Sequence, residues 1–294
     1  MENAPTQTIP FCQAPDPEPR RPGFRAPEGA TDTHFHILGP AATYPYVEER
    51  EYTPPDALPP ACRLFFDTVG VQRAVLVQPS VYGSDNRRME TAARQLGLPT
   101  RMVVVTPFET EDKELQRLDD AGARAVRFIL AHIGGLPPAD LERFSDRVLD
   151  LGWHIQLFLR PQHLIELEER LATLRTDIVI DHIGLIRPDE GGVAQPAFQA
   201  LLRLVRRGRC WVKFTGAYRY SSMPPPYRDA IPIAQALLNE RPDRILWGSD
   251  WPHVVVKGKM PNTTELFDLL LEWVPDEGLR RKILVDNPQA LFGF

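Results

Sequence analysis

Two histidines near the start of the chain and an aspartate near its end are residue types from which a hydrolytic site can be built. His34 and His36 stand two apart in one apolar run, and Asp250 ends another. Side chains two apart on a strand point the same way, so the two imidazoles are expected to project together from one strand end. Such a pair can hold a divalent ion or an oxyanion, and a carboxylate beside it can take a proton from water.

Eight short apolar runs, most of them separated by a helical pattern, indicate the framework that positions these residues. The predicted strands are 31–37, 73–78, 101–106, 123–129, 153–159, 177–181, 210–214 and 244–248. The predicted helices are 86–96, 111–121, 141–151, 162–174, 197–207, 227–239 and 263–273. This alternation is typical of a parallel sheet. Eight such strands predict an α/β fold of the (β/α)8 TIM barrel type, whose site lies at the carboxyl ends of the strands.

Polar side chains are concentrated at those predicted strand ends. In chain order they are His34, His36, Gln78, Ser80, Arg127, Asp181, His182, Lys213, Thr215, Arg219 and Asp250. A single histidine at such a place is more often a structural residue than a functional one. Several histidines at the same rim of one barrel favour an active site.

The first 30 residues differ in composition from the rest of the chain. They are rich in proline and charge and lack the apolar core of a signal peptide. Residues 1–30 are therefore expected to form a surface tail, which is either disordered or an ordered arm that packs on the barrel or on a neighbouring subunit. Residues 31–294 are expected to form the single barrel domain.

Composition limits the class of protein. A chain of 294 residues with 43% hydrophobic and 25% charged residues can bury one large core. Its net charge of −5 gives no basic surface for nucleic acid, and no apolar stretch approaches the roughly 20 residues that span a bilayer. Cys12, Cys62 and Cys210 lack metal-ligand spacing, and their odd number argues against a disulfide framework. We expect a cytoplasmic protein with a small-molecule partner and no nucleic-acid or membrane partner, and a homodimer as the default assembly.

Three motifs resemble the amidohydrolase superfamily. They are the pair formed by His34 and His36, the run IDHIG at 180–184 and the run WGSDWPH at 247–253. Within that superfamily they are similar to the amidohydrolase-2 branch that contains 2-pyrone-4,6-dicarboxylate lactonase. The resemblance extends from about Thr31 to the carboxyl terminus. It implies a barrel enzyme that acts on a lactone or a similar ester.

The resemblance also implies roles for the rim residues. Asp250 would be the base that activates water, with His34, His36 and His182 facing the substrate carbonyl as hydrogen-bond donors or through an ion. Arg127 stands where the resemblance would place the bridging lysine or glutamate of a binuclear centre, so two metals are not expected. We expect that no metal is strictly required. The alternative is one zinc or another divalent ion on the three histidines and the aspartate.

Two arginines and three hydroxyl groups are expected to bind the substrate. By resemblance, Arg127 and Arg219 would hold its carboxylate, because a guanidinium offers a planar fork of donors, although each could instead form a structural ion pair. Tyr52, Ser80 and Tyr82 would add hydroxyl groups.

Two departures from the branch bear on the substrate. A second arginine that the branch carries after strand four is absent, unless His132 replaces it. A tyrosine expected near Phe158 is absent as well. A singly charged or differently substituted lactone is therefore favoured over the dicarboxylate pyrone.

The resulting expectation is a hydrolase that opens an anionic lactone or cyclic ester in aromatic or sugar-acid catabolism. Two alternatives remain at this point. One is a metal-dependent decarboxylase or hydratase of the same superfamily. The other is a non-catalytic barrel that binds an acidic ligand.

Overall fold

Eight parallel strands form the body of the protein in a computed structural model that describes residues 9–294. The strands are β1 (Thr31–Phe35), β2 (Arg73–Val77), β3 (Thr100–Val104), β4 (Ala123–Ile129), β5 (His154–Phe158), β6 (Ile178–Ile180), β7 (Cys210–Phe214) and β8 (Ile245–Trp247). Each strand pairs with the next one along the chain, so their order around the sheet is their order in the sequence. The predicted (β/α)8 barrel is confirmed.

Helices cover the outside of the barrel. They are α1 (Pro59–Val69), α2 (Arg87–Leu96), α3 (Asp112–Asp120), α4 (Leu141–Val148), α5 (Pro161–Glu166), α6 (Glu168–Thr173), α7 (Pro196–Arg206), α8 (Ile231–Glu240), α9 (Thr263–Trp273), α10 (Glu277–Arg281) and α11 (Asn287–Phe292). Helix α1 was not predicted. The single helix predicted over 162–174 is wrong, because the chain leaves helical geometry at Leu167 and forms α5 and α6 instead.

The barrel closes where β8 meets β1. The Thr33 hydroxyl donates to the Trp247 carbonyl at 2.7 Å, and the Asp250 amide donates to the His34 carbonyl at 2.8 Å. Gly248 is required for this approach, since a Cβ there would lie 2.5 Å from the Cβ of His34. The first and last predicted site segments are therefore neighbours in space.

Apolar side chains fill the lower barrel. Strand residues that point inward form a cluster with Phe292 of α11. These strand residues are Val75, Val77, Val103, Ala125, Val179, Trp211 and Leu246. Helix α11 thus plugs the amino-terminal end of the barrel, and the carboxyl ends of the strands are left for polar groups.

Residues 9–30 pack on the barrel as an ordered arm. Phe24 stacks on Phe267 of α9 with ring centroids 4.3 Å apart, and Asp16 accepts a hydrogen bond from Asn262 at 2.9 Å. The remainder of the predicted tail, residues 1–8, lies outside the described part of the chain. Within residues 9–294, no helix combines the length and the apolar character needed to cross a membrane.

Candidate active site

His34, His36 and Asp250 meet at the carboxyl end of the barrel. The Nε2 atoms of both histidines lie 3.7 Å from Asp250 Oδ1. His36 Nδ1 contacts the Val77 carbonyl at 2.7 Å, and His34 Nδ1 contacts Asp181 Oδ1 at 3.1 Å. The carbonyl that faces His36 Nδ1 can only accept. His34 Nδ1 lies closer to the Asp181 carboxylate than to Lys213 Nζ, a donor 3.5 Å away. We therefore place the hydrogen on both Nδ1 atoms, which leaves both Nε2 lone pairs facing the site.

Asp250 is held as an ion. Its Oδ2 accepts from the Tyr218 hydroxyl at 2.5 Å and from Arg219 Nε at 2.7 Å. Burial would raise the pKa of the Asp250 carboxyl, but the Arg219 guanidinium and the neighbouring histidines together outweigh burial and hold it well below the ordinary value of 3.8. Oδ1 has no hydrogen-bond partner among the described residues. This oxygen is therefore available to accept a proton.

His182 completes the upper layer of the site. It follows β6 with a positive φ of 51°, and its Nδ1 is buried without a partner among the described residues. Burial lowers the pKa of its imidazole to about 4, so the ring is neutral near pH 7. Gly216 makes room for it, because a Cβ there would lie 2.8 Å from His182 Nδ1 and 3.1 Å from Asp250 Oδ2.

A second layer of charge lies beneath these groups, centred on Asp181. Its carboxylate pairs with Arg127 at 2.9 Å and accepts from the Gln156 amide at 2.9 Å. Lys213 donates to Gln156 Oε1 at 2.8 Å and lies 3.8 Å from Asp181 Oδ1. Because Asp181 also accepts from His34, this layer fixes the ring orientation of one histidine of the layer above.

The two predicted carboxylate-binding arginines are both engaged in ion pairs. Arg127 contacts Asp181 and also donates to the Gln78 carbonyl at 2.7 Å. Arg219 contacts Asp250 through Nε. Their contact with a substrate stays a prediction, and the structure adds that each arginine also orients a carboxylate.

The three predicted hydroxyl groups are placed differently from one another. The buried Tyr52 hydroxyl lies beside Ser80, which acts to lower its pKa, and the Tyr52 ring lies 6.4 Å from that of His132. The Tyr82 hydroxyl accepts from the Gly39 amide at 2.8 Å, and its ring packs on Tyr46. Tyr52 and Ser80 thus sit together, whereas the Tyr82 hydroxyl serves the loop that follows β1.

His132, the possible replacement for a second arginine, contacts Glu51 at 2.5 Å through Nδ1. Its ring lies 5.0 Å from that of Phe158, and the Phe158 ring lies 5.1 Å from that of His182. An aromatic row therefore leads from the rim to the site. Whether His132 contacts an anion stays a prediction.

Three residues of the site were not assigned from the sequence. Tyr218 stands next to Arg219, and only the geometry shows that its hydroxyl reaches Asp250. Gln156 lies on a strand whose pattern is otherwise apolar. Asp32 accepts from the backbone amides of His34 and Ser249, both at 3.0 Å, and so ties β1 to the end of β8. A buried aspartate just before a histidine pair was the available signal.

Comparison with known families agrees with this geometry. Residues 31–294 match the family model described as Amidohydrolase. The chain belongs to the amidohydrolase family. It is thus an enzyme of that superfamily, as the three motifs indicated.

Several members of the amidohydrolase family are similar to this chain over most of its length. A 4-sulfomuconolactone hydrolase from Hydrogenophaga intermedia is 38% identical, covering 100% of this chain and 98% of that protein. A 2-pyrone-4,6-dicarboxylate hydrolase from Comamonas testosteroni is 37% identical, covering 93% of each. A crystal structure from Acinetobacter baumannii, of a probable 2-pyrone-4,6-dicarboxylic acid hydrolase with citric acid bound, has a TM-score of 0.81 and 29% identity. It covers 90% of this chain and 100% of that chain.

The donor set of this amidohydrolase fits one divalent ion. His34 Nε2, His36 Nε2 and Asp250 Oδ1 lie within 4.8 Å of one another, and all three are acceptors in the protonation states given above. His34 Nε2 and Asp250 Oδ1 lack a donor among the described residues. A cation, or a water molecule that donates twice, satisfies such a group.

Proposed function

We propose that this amidohydrolase hydrolyses an anionic lactone, with Asp250 as the base that activates water. The observation that carries the proposal is the environment of Asp250. One carboxylate oxygen is fixed by Tyr218 and Arg219, and the other faces two imidazole lone pairs and lacks a donor. A carboxylate held in this way stays ionised and points one basic oxygen into the site.

The chemical step follows from that oxygen. A water molecule that donates to Asp250 Oδ1 and to one imidazole Nε2 presents its own lone pair to the lactone carbonyl carbon. The new carbon–oxygen bond forms as Asp250 takes the proton and the carbonyl electron pair moves onto its oxygen. When that pair returns, the ring carbon–oxygen bond breaks, and the leaving oxygen takes the proton back from Asp250. The product has an open ring and one additional carboxylic acid, which becomes a carboxylate by releasing the second proton of the water molecule to solvent.

The remaining groups supply donors and charge. We assign the substrate carbonyl to the neutral His182 ring and to the Tyr52 hydroxyl, because the Nε2 atoms of the other two histidines carry no hydrogen. The substrate carboxylate is assigned to Arg219 and Arg127. The names of the two hydrolase relatives, and the citric acid in the Acinetobacter baumannii structure, support a substrate of this anionic class in aromatic catabolism.

The test is hydrolysis of 4-sulfomuconolactone and of 2-pyrone-4,6-dicarboxylate, which is measured as the loss of ring absorbance. The substitution Asp250→Asn should lower kcat by about 100- to 10,000-fold with the thermal transition retained. Asp189→Asn, a change in an exposed carboxylate that pairs with Arg187, should leave kcat unchanged. A fully active Asp250→Asn variant would remove Asp250 from the mechanism.

A metal-dependent reaction is the second candidate function. The observation that favours it is that three acceptor side chains converge in the site. We propose that, if one divalent ion is required, His34, His36 and Asp250 hold it, with His182 nearby. Such an ion would supply Lewis-acid polarisation of the carbonyl. Metal content by mass spectrometry, with turnover before and after chelation, decides the requirement. Release of carbon dioxide by the metal-loaded protein would favour a decarboxylase over a lactonase.

Location and assembly belong to the proposal as well. We propose a cytoplasmic enzyme, with a homodimer as its assembly. Sedimentation equilibrium at micromolar concentration measures the assembly, and a molar mass of one chain would contradict the dimer. Fractionation of cells that express the full chain measures the location.

A further inference from the structure

The beginning of the described chain crosses the mouth of the barrel. The Cys12 amide donates to the Thr53 carbonyl at 2.9 Å, and the Thr53 amide donates to the Pro10 carbonyl at 2.8 Å. On the other side, the Gln13 amide group donates to the Gly258 carbonyl at 2.7 Å. Thr53 lies in the loop after β1 and Gly258 in the loop after β8. Residues 9–15, here named the strap, therefore bridge the two loops that carry Tyr52 and Asp250.

The strap also lies close to the catalytic charges. Burial raises the pKa of the Cys12 thiol, whereas the Val255 backbone and the Arg219 guanidinium act to lower it, so the thiol lies near both. Arg219 itself contacts Asp250 at 2.7 Å. The strap is thus part of the wall above the site, in addition to its contacts at the rim.

The catalytic side chains beneath it are closed to solvent. His34 and Asp250 are 0% exposed, His182 is 1% exposed and His36 is 4% exposed. A lactone has to bring its carbonyl carbon to about 3–3.5 Å from the attacking water. No molecule of that size reaches these atoms unless part of the rim moves.

The strap is weakly held compared with the chain that follows it. None of residues 9–15 is buried, and Phe11 is 85% exposed. A cavity of about 450 Å³ lies against residues 14–19, with Trp251 and Phe65 among its other walls. Few buried apolar contacts mean a low free energy of local opening. From Asp16 onward, by contrast, the arm is fixed to α9 and to Asn262.

We infer that the strap opens and closes over the barrel mouth, about a hinge next to Asp16, and so controls access to Asp250. That the admitted molecule is a lactone rests on the proposed function. The motion of the strap does not depend on that function. Closure brings Cys12 and the backbone at Pro10 over the substrate and excludes bulk water. Opening breaks two backbone hydrogen bonds and one side-chain hydrogen bond.

A reversible lock tests this motion. Phe11 and Thr53 form a parallel bridge pair, and such pairs lie about 4.8 Å apart, within the Cα spacing of about 4.4–6.8 Å that disulfides need. The double substitution Phe11→Cys with Thr53→Cys should lock the strap when oxidised and release it when reduced. The single substitutions are the matched controls, and peptide mass mapping identifies the bridge.

The readout is modification of His36 and His182 by diethyl pyrocarbonate, measured peptide by peptide, so that it does not depend on turnover. The oxidised form should be modified at least tenfold more slowly than the reduced form, while the half-exposed His163 reacts equally in both. The kcat/KM for whichever of the two test lactones the parent hydrolyses should fall in parallel. Equal modification rates in the oxidised and reduced forms would overturn the inference.

Removal of residues 1–15 tests the same inference by deleting the strap. It provides the test if the disulfide does not form. This variant keeps the Asp16 anchor and should show faster modification of His36 than the full chain. An unchanged rate would overturn the inference. The disulfide could protect His36 in a protein that hydrolyses neither lactone. That result would support the motion of the strap and contradict the proposed function.

Discussion

The two layers of the site differ in how their polar groups are paired. In the lower layer, Asp181, Arg127 and Lys213 are fully buried or nearly so, and each has partners within 4 Å, although Arg127 Nε has none among the described residues. In the upper layer, His34 Nε2 and Asp250 Oδ1 are just as deeply buried and lack donors among the described residues. Burial costs a polar group free energy unless it is paired, so the unpaired layer is the one arranged for a ligand.

The difference separates positioning from chemistry. The lower layer orients His34 through Asp181, and the upper layer presents the acceptors that a water molecule or an ion would use. Loss of a lower-layer charge should therefore act first on stability. Loss of an upper-layer group should act first on turnover.

The largest effect on stability is expected from Asp181→Asn. This change leaves Arg127 and Lys213 buried without a full counter-charge, and breaking a buried pair costs about 3 to 5 kcal/mol. The free energy of unfolding in urea should fall by that amount. Turnover should fall too, because His34 Nδ1 loses its carboxylate partner.

The matched control combines Asp181→Asn with Arg127→Met. Removing both charges should recover part of the lost free energy of unfolding, since neither is then left buried alone. A double variant that is less stable than Asp181→Asn would contradict the view that the lower layer is a balance of charges. So would a single variant with the stability of the parent.

A smaller and more selective effect is expected from Gly216→Ala. The new Cβ would lie 2.8 Å from His182 Nδ1, and the residue would keep a positive φ near 64°. We expect a loss of about 1–3 kcal/mol in the free energy of unfolding from the strained backbone. We also expect a fall in kcat of roughly tenfold or more, because His182 must move relative to Asp250.

Gly152→Ala separates these two contributions. Gly152 has a φ of 68°, and no atom of residues 9–294 lies within 4 Å of an added Cβ, so the change carries the backbone strain without crowding the site. It should lower stability and leave kcat unchanged. An equal fall in kcat for both variants would show that the crowding of His182 has no catalytic consequence.

Much of the fold was accessible from the sequence because apolar runs and helical patterns alternate along it. Helix α1 was not among the predicted helices. Proline is tolerated in the first helical turn, and the buried Cys62, Phe65, Phe66 and Val69 stand at helical spacing. The helical pattern was therefore present in the sequence.

The site was accessible only in part. Strand alternation and the motifs brought His34, His36 and Asp250 together correctly. The pairing of Arg127 with Asp181 depends on β4 and β6 flanking β5, which is a property of the closed barrel. The hydrogen on each Nδ1 depends on which oxygen faces it. Neither the ion pair nor the position of the hydrogen can be predicted from the sequence around these residues.

The last expected effect concerns pH and distinguishes buried neutral imidazoles from paired carboxylates. Burial lowers the pKa of His154 to about 3 and that of His182 and His253 to about 4. Below pH 6.5 the unfolded chain binds protons that these folded rings do not. Their contribution to stability is thus complete above pH 6.5 and is lost as the pH falls toward 4 and 3. The slope is at most about 1.4 kcal/mol per pH unit for each ring.

The carboxylates act in a lower window. The pKa values of Asp181 and Asp250 lie well below 3.8, so their contribution is lost only as the pH falls below that value. Urea unfolding at intervals from pH 7 to pH 4 measures the imidazoles together with Asp32, whose pKa burial raises to about 7 and which opposes their effect by gaining stability as the pH falls. His154→Phe should keep the edge contact with Phe292 and reduce the slope without removing it, because the pKa values of His34, His36 and His132 are lowered as well. A parent whose free energy of unfolding is constant from pH 6.5 to 4.5 would show that these rings are protonated in the fold, and the assignment of lone pairs to the upper layer would then fail as well.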